Sequence, residues 1–173
     1  MMDYERMVNE IVTISGGAVL ATNEEMVMHM KVAGWTAPVY NISGLAFGKE
    51  EVRSRVPGSL IPFGKRKQRI GFAARWDQEK QPDFYMDVID AWHKTRPYYQ
   101  VEFAVFSGSK LKSNNSSYME RTRKMEEEGK LVIYEDLEKN DYYALLNDTR
   151  ILFNCALQDW VSNTVSEADT LGC

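Results

Sequence analysis

The sequence contains few cysteines and histidines. Its two cysteines, Cys155 and Cys173, do not form a Cys-x-x-Cys pair, so neither a zinc framework nor a disulfide framework is indicated. The two histidines, His29 and His93, are isolated from each other and from the cysteines. We therefore expect reduced thiols and no metal site.

Long apolar runs and a positive net charge are also missing. No segment approaches the roughly 20 apolar residues of a membrane-spanning helix, and residues 1–6 are too acidic and polar for a signal peptide. We expect a cytoplasmic protein without a membrane span. Because 21 basic residues face 25 acidic ones, for a formal net charge of −4, no overall positive field recruits nucleic acid.

The composition that is present is typical of a globular protein. Of 173 residues, 44% are hydrophobic and 27% are charged, which excludes disorder. From Arg69 onward, short β-rich runs alternate with amphipathic helical segments, a pattern typical of a parallel sheet with crossover helices. We therefore predict an α/β, Rossmann-like fold, with helices beginning at Pro82, Ser117, Asp141 and Ser162 or Asn163, and strands at 70–74, 101–106, 131–134 and 151–155.

The N-terminal third is less regular but also has an α/β pattern. It predicts helices at 4–11 and 23–32 and strands at 18–21 and 39–42, and proline and glycine then interrupt the chain near residue 60. We place a domain boundary near residue 66, between segments 1–66 and 67–173. The dense basic run 65–69 is either a nuclear or nucleic-acid signal or a short solvated linker, and we favour the linker.

Polar side chains follow the predicted strands, at the edge where parallel sheets bind ligands. Arg75 and Lys80 follow the first strand, and three polar residues open the last helix, whose free amide groups favour an anion. This arrangement predicts a diphosphate pocket. Glu167, about one turn inside the helix, can accept two hydrogen bonds from a cis-diol such as ribose, and Asp159 can hold another hydroxylated group. The polar residues at the helix start are Ser162, Asn163 and Thr164.

Two common phosphate-binding motifs are not present. The segment 107–110, Ser-Gly-Ser-Lys, lacks the spacing of a P-loop, and no Gly-x-Gly-x-x-Gly follows the first predicted strand. ATPase and dinucleotide-binding functions are therefore weakly supported.

Two further patterns resemble motifs of one enzyme class. Ala74-Arg75 ends the first predicted strand and Lys80 follows a few residues later, while seven residues separate Asp159 from Glu167-Ala168, with Gly172 beyond. Residues 69–173 thereby resemble the donor-binding half of GT-B glycosyltransferases, in particular the retaining family 4. That family usually has Glu at the position of Asp159 and Gly at the position of Ser162.

The resemblance implies a function and a role for each residue. The donor would be a nucleotide-diphosphate sugar, the acceptor is unidentified, configuration would be retained, and no metal or other cofactor would be required. Asp159 and Glu167 would be the catalytic acids, with Asp159 on the transferred sugar and Glu167 on the ribose. The donor diphosphate would be bound by Arg75, Lys80, Ser162, Asn163 and Thr164.

The same resemblance implies an incomplete enzyme. Segment 1–66 would be the terminal part of an acceptor domain with its connector, and 67–173 a donor domain incomplete at its C-terminus. The chain would then be a fragment, or a reduced relative whose missing half a partner chain supplies. One alternative is a non-catalytic nucleotide or nucleotide-sugar module that completes or regulates a partner. Another is an unrelated α/β protein with no nucleotide affinity.

Overall fold

The computed structural model describes residues 2–42, 48–157 and 162–173. They divide into two compact units, which we describe separately. Unit 1 contains the described residues up to Ile42 together with Ser162, and unit 2 contains those from Gly48 onward except Ser162. Within the described ranges no helix is long and apolar enough to cross a membrane.

Unit 1 is a small α/β unit with a two-stranded sheet. Its strands pair in parallel, with Val19 opposite Val39, and all four elements predicted for this segment are present. The buried Asn9 side chain accepts hydrogen bonds from the amides of Thr36 and Ala37, both at 3.0 Å, which fixes the first helix to the loop before the second strand. The elements are α1 (Asp3–Ile14), β1 (Val19–Ala21), α2 (Glu24–Val32) and β2 (Val39–Asn41).

Unit 2 is built on a four-stranded parallel sheet in the order β5-β4-β3-β6. The prediction that the four β-rich runs form one parallel sheet is confirmed. Its strands are β3 (Lys67–Phe72), β4 (Glu102–Phe106), β5 (Val132–Tyr134) and β6 (Thr149–Phe153). Its helices are α3 (Lys49–Ser54), α4 (Pro82–Thr95), α5 (Ser116–Glu127), α6 (Lys139–Asn147) and α7 (Asn163–Leu171).

Apolar side chains form two separate buried clusters in unit 2. One joins α3, α6 and α7 to β4 through Val52, Tyr143 and Leu171. The other joins α4 and α5 to the central strands and includes Tyr85. Burial of this apolar surface is the main stabilising contribution to the unit. Unit 2 begins at Gly48, because α3 packs against α7. The assignment of 1–66 and 67–173 to two enzyme domains stays a prediction.

Two local predictions need correction. The α5 helix begins at Ser116, and Asn115 caps it by accepting the Ser117 amide at 3.1 Å, so the predicted Ser117–Glu120 capping box does not form. The basic run at 65–69 is not a solvated linker, because Arg66 is 6% exposed and Arg69 is 1% exposed. Arg69 lies opposite Glu102 in the sheet and pairs with it, and this pairing satisfies the buried charge.

Candidate functional site

A cavity of about 480 Å³ opens at the carboxyl ends of the strands of unit 2. Small-molecule sites typically have volumes of this order. Its walls come from the segments that follow β3, β4 and β5 and from the first turns of α7, as the position of parallel strand ends predicts. The lining residues are Ala73, Ala74, Arg75, Phe106, Ser107, Gly108, Ser109, Leu137, Lys139, Tyr142, Thr164 and Glu167.

Main-chain hydrogen bonds hold the loops of the cavity together. The Ser107 amide donates to the Tyr134 carbonyl at 2.9 Å, and the Leu137 amide donates to the Ser107 carbonyl at 3.1 Å. Asp136 takes the left-handed conformation at φ 54°, which L-residues other than asparagine and aspartate rarely adopt. These contacts bring the loop after β5 and the start of α6 to the cavity.

Glu167 is the most buried charged group of the cavity, at 3% exposure. Its Oε1 accepts a hydrogen bond from Lys139 Nζ at 2.6 Å and one from the Tyr143 hydroxyl at 2.9 Å. Its Oε2 is buried and makes no hydrogen bond with the described residues. Because a carboxylate can accept on both oxygens, the side chain retains an unused acceptor beside the cavity.

Two tyrosines of α6 share the environment of Glu167. Burial and the negative charge of Glu167 raise the pKa of Tyr142 well above its ordinary value. Burial and the hydrogen bond to Glu167 likewise raise the pKa of Tyr143. Both hydroxyls therefore stay protonated at neutral pH, and that of Tyr143 remains a donor to the carboxylate.

Arg75 lies on the rim of the cavity, with a side chain that is 70% exposed. It forms ion pairs with Glu79 and, at 3.6 Å, with Asp77. Exposed pairs of this kind contribute little to stability. The guanidinium can therefore exchange these partners for a ligand anion at small cost.

The other predicted site residues are placed differently. Thr164 lines the cavity. Lys80, in the 3-10 turn Gln78–Lys80, and Asn163, the first residue of α7, are not among its lining residues. Ser162 belongs to unit 1. Asp159 lies outside the described residues. The structure thus brings Arg75, Thr164 and Glu167 to one cavity, and the ligand roles of all the predicted residues stay predictions.

Sequence reasoning missed Lys139 and Tyr142 as cavity residues and Tyr143 as a hydrogen-bond partner of Glu167. The predicted helix began at Asp141, which left Lys139 in a loop. Lys139 and Tyr143 are four residues apart on α6, the spacing that places two side chains on one helix face. That spacing is the signal that could have identified them.

A smaller cavity of about 290 Å³ shares Arg75 and Ser107 with the first. Its outer wall is the loop 107–114, which Glu135 anchors by accepting the Leu111 amide at 2.8 Å and Arg123 Nη2 at 2.7 Å. The hydrogen bond from Leu111 and the Arg123 guanidinium hold the pKa of Glu135 below its ordinary value of 4.5. Glu135 is therefore a structural anchor of the site.

We expect Glu135→Gln to lower the free energy of unfolding by about 1 kcal/mol at pH 7, because a charged acceptor is lost. Since the folded-state pKa is depressed, this contribution is present above pH 4.5 and is lost as the pH falls below it. Urea unfolding at pH 7 and at pH 3 measures the difference. A variant that is destabilised equally at both pH values would contradict this account.

Among residues 2–42, 48–157 and 162–173, no three His, Cys, Asp or Glu side chains lie close enough together to hold a metal ion. Sequence comparison adds no assignment, since no protein-family model matches the chain and no curated protein resembles it in sequence.

Structural comparison does find similar proteins. TarM superposes with a TM-score of 0.69 at 12% identity, over 99% of this chain and 31% of TarM. The E. coli trehalose-6-phosphate protein bound with UDP-2-fluoro glucose gives 0.62 at 11% identity, over 88% of this chain and 42% of that one. The pneumococcal O-GlcNAc transferase GtfA, in complex with UDP and GlcNAc, gives 0.57 at 17% identity, over 90% and 28%.

These similar proteins are GT-B glycosyltransferases, and their identity to this chain is low. The chain has the GT-B fold and its Rossmann-like α/β architecture, as the sequence predicted. It spans between 28% and 42% of the length of the structures it resembles.

Proposed function

We propose that the chain is a cytoplasmic glycosyltransferase, or the donor-binding part of one, that uses a nucleotide-diphosphate sugar. The observation that carries the proposal is the buried carboxylate of Glu167, whose Oε2 has no hydrogen bond from any described residue and lies beside a cavity with Arg75 on its rim. A nucleotide diphosphate offers the hydroxyl donors and the anionic group that these two side chains can bind. UDP in the GtfA structure and UDP-2-fluoro glucose in the E. coli structure support this choice of ligand class.

The geometry supports one orientation of the donor along the cavity. Glu167 binds the ribose, and the diphosphate lies toward Arg75 and Thr164, beside the first turn of α7, where the helix dipole favours negative charge. Asp159, Lys80, Ser162 and Asn163 enter the proposal from the sequence alone. Asp159 would hold the sugar and the other three would bind phosphate.

The proposed reaction needs charge stabilisation at the leaving group. The bond between the sugar C1 and the diphosphate oxygen breaks, an acceptor hydroxyl forms the new bond to C1, and its proton leaves to solvent or base. Arg75 and the amides of α7 stabilise the charge that develops on the departing diphosphate. The proposal includes retention of configuration and operation without a metal, and it leaves the acceptor unidentified.

A non-catalytic nucleotide-binding module, which completes or regulates a partner chain, is the second candidate. The observation that favours it is the pairing of Arg75 with Glu79 and Asp77, which reduces the positive charge available to stabilise a leaving group. Calorimetric titration with UDP, GDP, ADP and their sugars tests both candidates. Hydrolysis or transfer of the bound sugar supports the enzyme, binding without turnover supports the module, and no binding contradicts both.

We expect Arg75→Ala to weaken nucleotide-diphosphate binding by about 1 kcal/mol, or roughly fivefold, because an exposed charge contributes less than a buried one. Added salt should weaken wild-type binding more than binding to the variant. Calorimetry measures both effects. The matched control is Arg53→Ala on α3, which removes an exposed arginine paired with Glu50. Equal affinity of wild type and Arg75→Ala would exclude a phosphate role for Arg75.

A further inference from the structure

Two donors from one face of α6 hold the Glu167 side chain. Lys139 is the first residue of the helix, Tyr143 lies one turn later, and both donate to the same oxygen, Oε1, at 2.6 and 2.9 Å. Two donors on one oxygen restrict the rotamer of the Glu167 side chain, because a rotamer that moves Oε1 away breaks these hydrogen bonds.

Lys139 is itself held in place. Its Nζ lies 4.9 Å from the ring centroid of Tyr142 and 4.7 Å from that of Tyr143, which is within cation–π distance. The Lys139 side chain is 40% exposed, whereas that of Glu167 is 3% exposed. The ammonium group therefore reaches from the rim of the cavity to a buried carboxylate.

The carboxylate is satisfied on one side only. Oε1 has two donors, whereas Oε2 is buried and makes no hydrogen bond with the described residues. A buried charged oxygen without a partner costs free energy, and a ligand hydroxyl is the neutral donor that would recover it. The 2′- and 3′-hydroxyls of ribose are such donors.

We propose that Lys139 is a positioning residue that makes the site selective for ribonucleotides over 2′-deoxyribonucleotides. By occupying Oε1 together with Tyr143, it leaves Oε2 as the acceptor for the ribose diol. A 2′-deoxy ligand lacks one hydroxyl of that diol and leaves the buried oxygen less well satisfied. The inference rests on the proposed nucleotide site and adds to it a residue and a selectivity.

The test compares the binding of UDP, GDP and ADP with that of their 2′-deoxy counterparts by calorimetry. We expect the wild type to prefer the ribonucleotide by about tenfold, the ratio that one charge-assisted hydrogen bond provides. Lys139→Met keeps the length and the contact with the tyrosine rings but removes the donor. It should weaken ribonucleotide binding, leave 2′-deoxynucleotide binding within about twofold, and reduce the ratio to roughly threefold or less.

Rescue and control variants separate positioning from other roles. Lys139→Arg, which restores a charged donor, should recover most of the preference for the ribonucleotide. Tyr143→Phe, which removes the second donor to Oε1, should lower that preference partly. Lys124→Met, at an exposed lysine of α5, should change nothing. Thermal melting checks that each variant is folded, and if Lys139→Met does not fold, the responses of Lys139→Arg and Tyr143→Phe decide.

Each contrary result has a distinct meaning. An unchanged ratio in folded Lys139→Met and in Tyr143→Phe overturns the inference. Equal weakening of both ligand types overturns it too, and indicates a phosphate contact of Lys139. A wild type that binds both ligand types equally overturns the inference but leaves the nucleotide site intact. A wild type that binds none of the nucleotides overturns the proposed function and the inference together.

Discussion

Replacing Arg66 by methionine should lower the free energy of unfolding of unit 2 by about 3 kcal/mol or more. The guanidinium is 6% exposed and donates to three main-chain carbonyls that are distant in sequence from one another. Nε donates to Ile61 at 2.9 Å, Nη1 to Thr149 at 3.2 Å and Nη2 to Leu171 at 2.5 Å.

The size of the effect follows from what methionine leaves behind. Methionine fills much of the volume but donates no hydrogen bond, so these carbonyls lose their charged partner, and each unsatisfied buried carbonyl costs about 1–3 kcal/mol. The Leu171 carbonyl also ends α7, where a cation is favoured by the helix dipole. Because Glu167 is on α7, the variant should weaken nucleotide binding as well.

Urea unfolding followed by tryptophan fluorescence measures the loss of unfolding free energy. An unchanged m-value shows that the variant exposes the same amount of surface on unfolding as the wild type. Lys67→Met is the matched control, since the neighbouring Lys67 side chain is 60% exposed and should contribute less than about 0.5 kcal/mol. Arg66→Lys keeps the charge but cannot donate to all three carbonyls in the same geometry. Its loss of unfolding free energy should lie between those of Lys67→Met and Arg66→Met. A loss below about 1 kcal/mol in Arg66→Met would show that water replaces the guanidinium.

The sheet of unit 2 was predictable because its signal is local. Each strand is a short run of β-branched and aromatic residues followed by polar residues, and each crossover is an amphipathic segment, so the alternation alone indicates a parallel sheet. The carboxyl-end cavity follows from that topology. Gly172, with φ 72°, ends α7 in the left-handed conformation that favours glycine.

The pairings of charged residues were not predictable, since they depend on tertiary proximity. In the sequence Arg66 and Arg69 look like surface charges in a basic run. Only the folded structure shows that both are buried and that Arg69 pairs with Glu102. Lys139 and Glu167 are separated by 28 positions, and no sequence pattern links them. Glu167 was identified through a motif, but which of its oxygens is used is a property of the packing of α6 against α7.

The two acids of the motif should respond differently to removal of charge. Glu167→Gln should weaken the binding of a nucleotide diphosphate and of its sugar equally, by about 3 kcal/mol or roughly a hundredfold, because a buried charged acceptor is lost. The amide nitrogen of glutamine cannot accept, and if it took the position of Oε1 it would meet the donors of Lys139 and Tyr143. Either orientation of the amide therefore disturbs the site.

Asp159→Asn should instead spare the plain nucleotide diphosphate and weaken only the sugar-bearing ligand or its turnover, because the proposed contact of Asp159 is with the sugar. One calorimetric series on both variants, with UDP and a UDP-sugar as the first pair, measures the difference. Glu127→Gln, at an exposed glutamate of α5, controls for the loss of a surface charge. If Asp159→Asn weakens both ligands alike, Asp159 acts on the diphosphate rather than on the sugar. If Glu167→Gln binds both with wild-type affinity, the unused oxygen of Glu167 does not bind ribose and the cavity loses its proposed ligand.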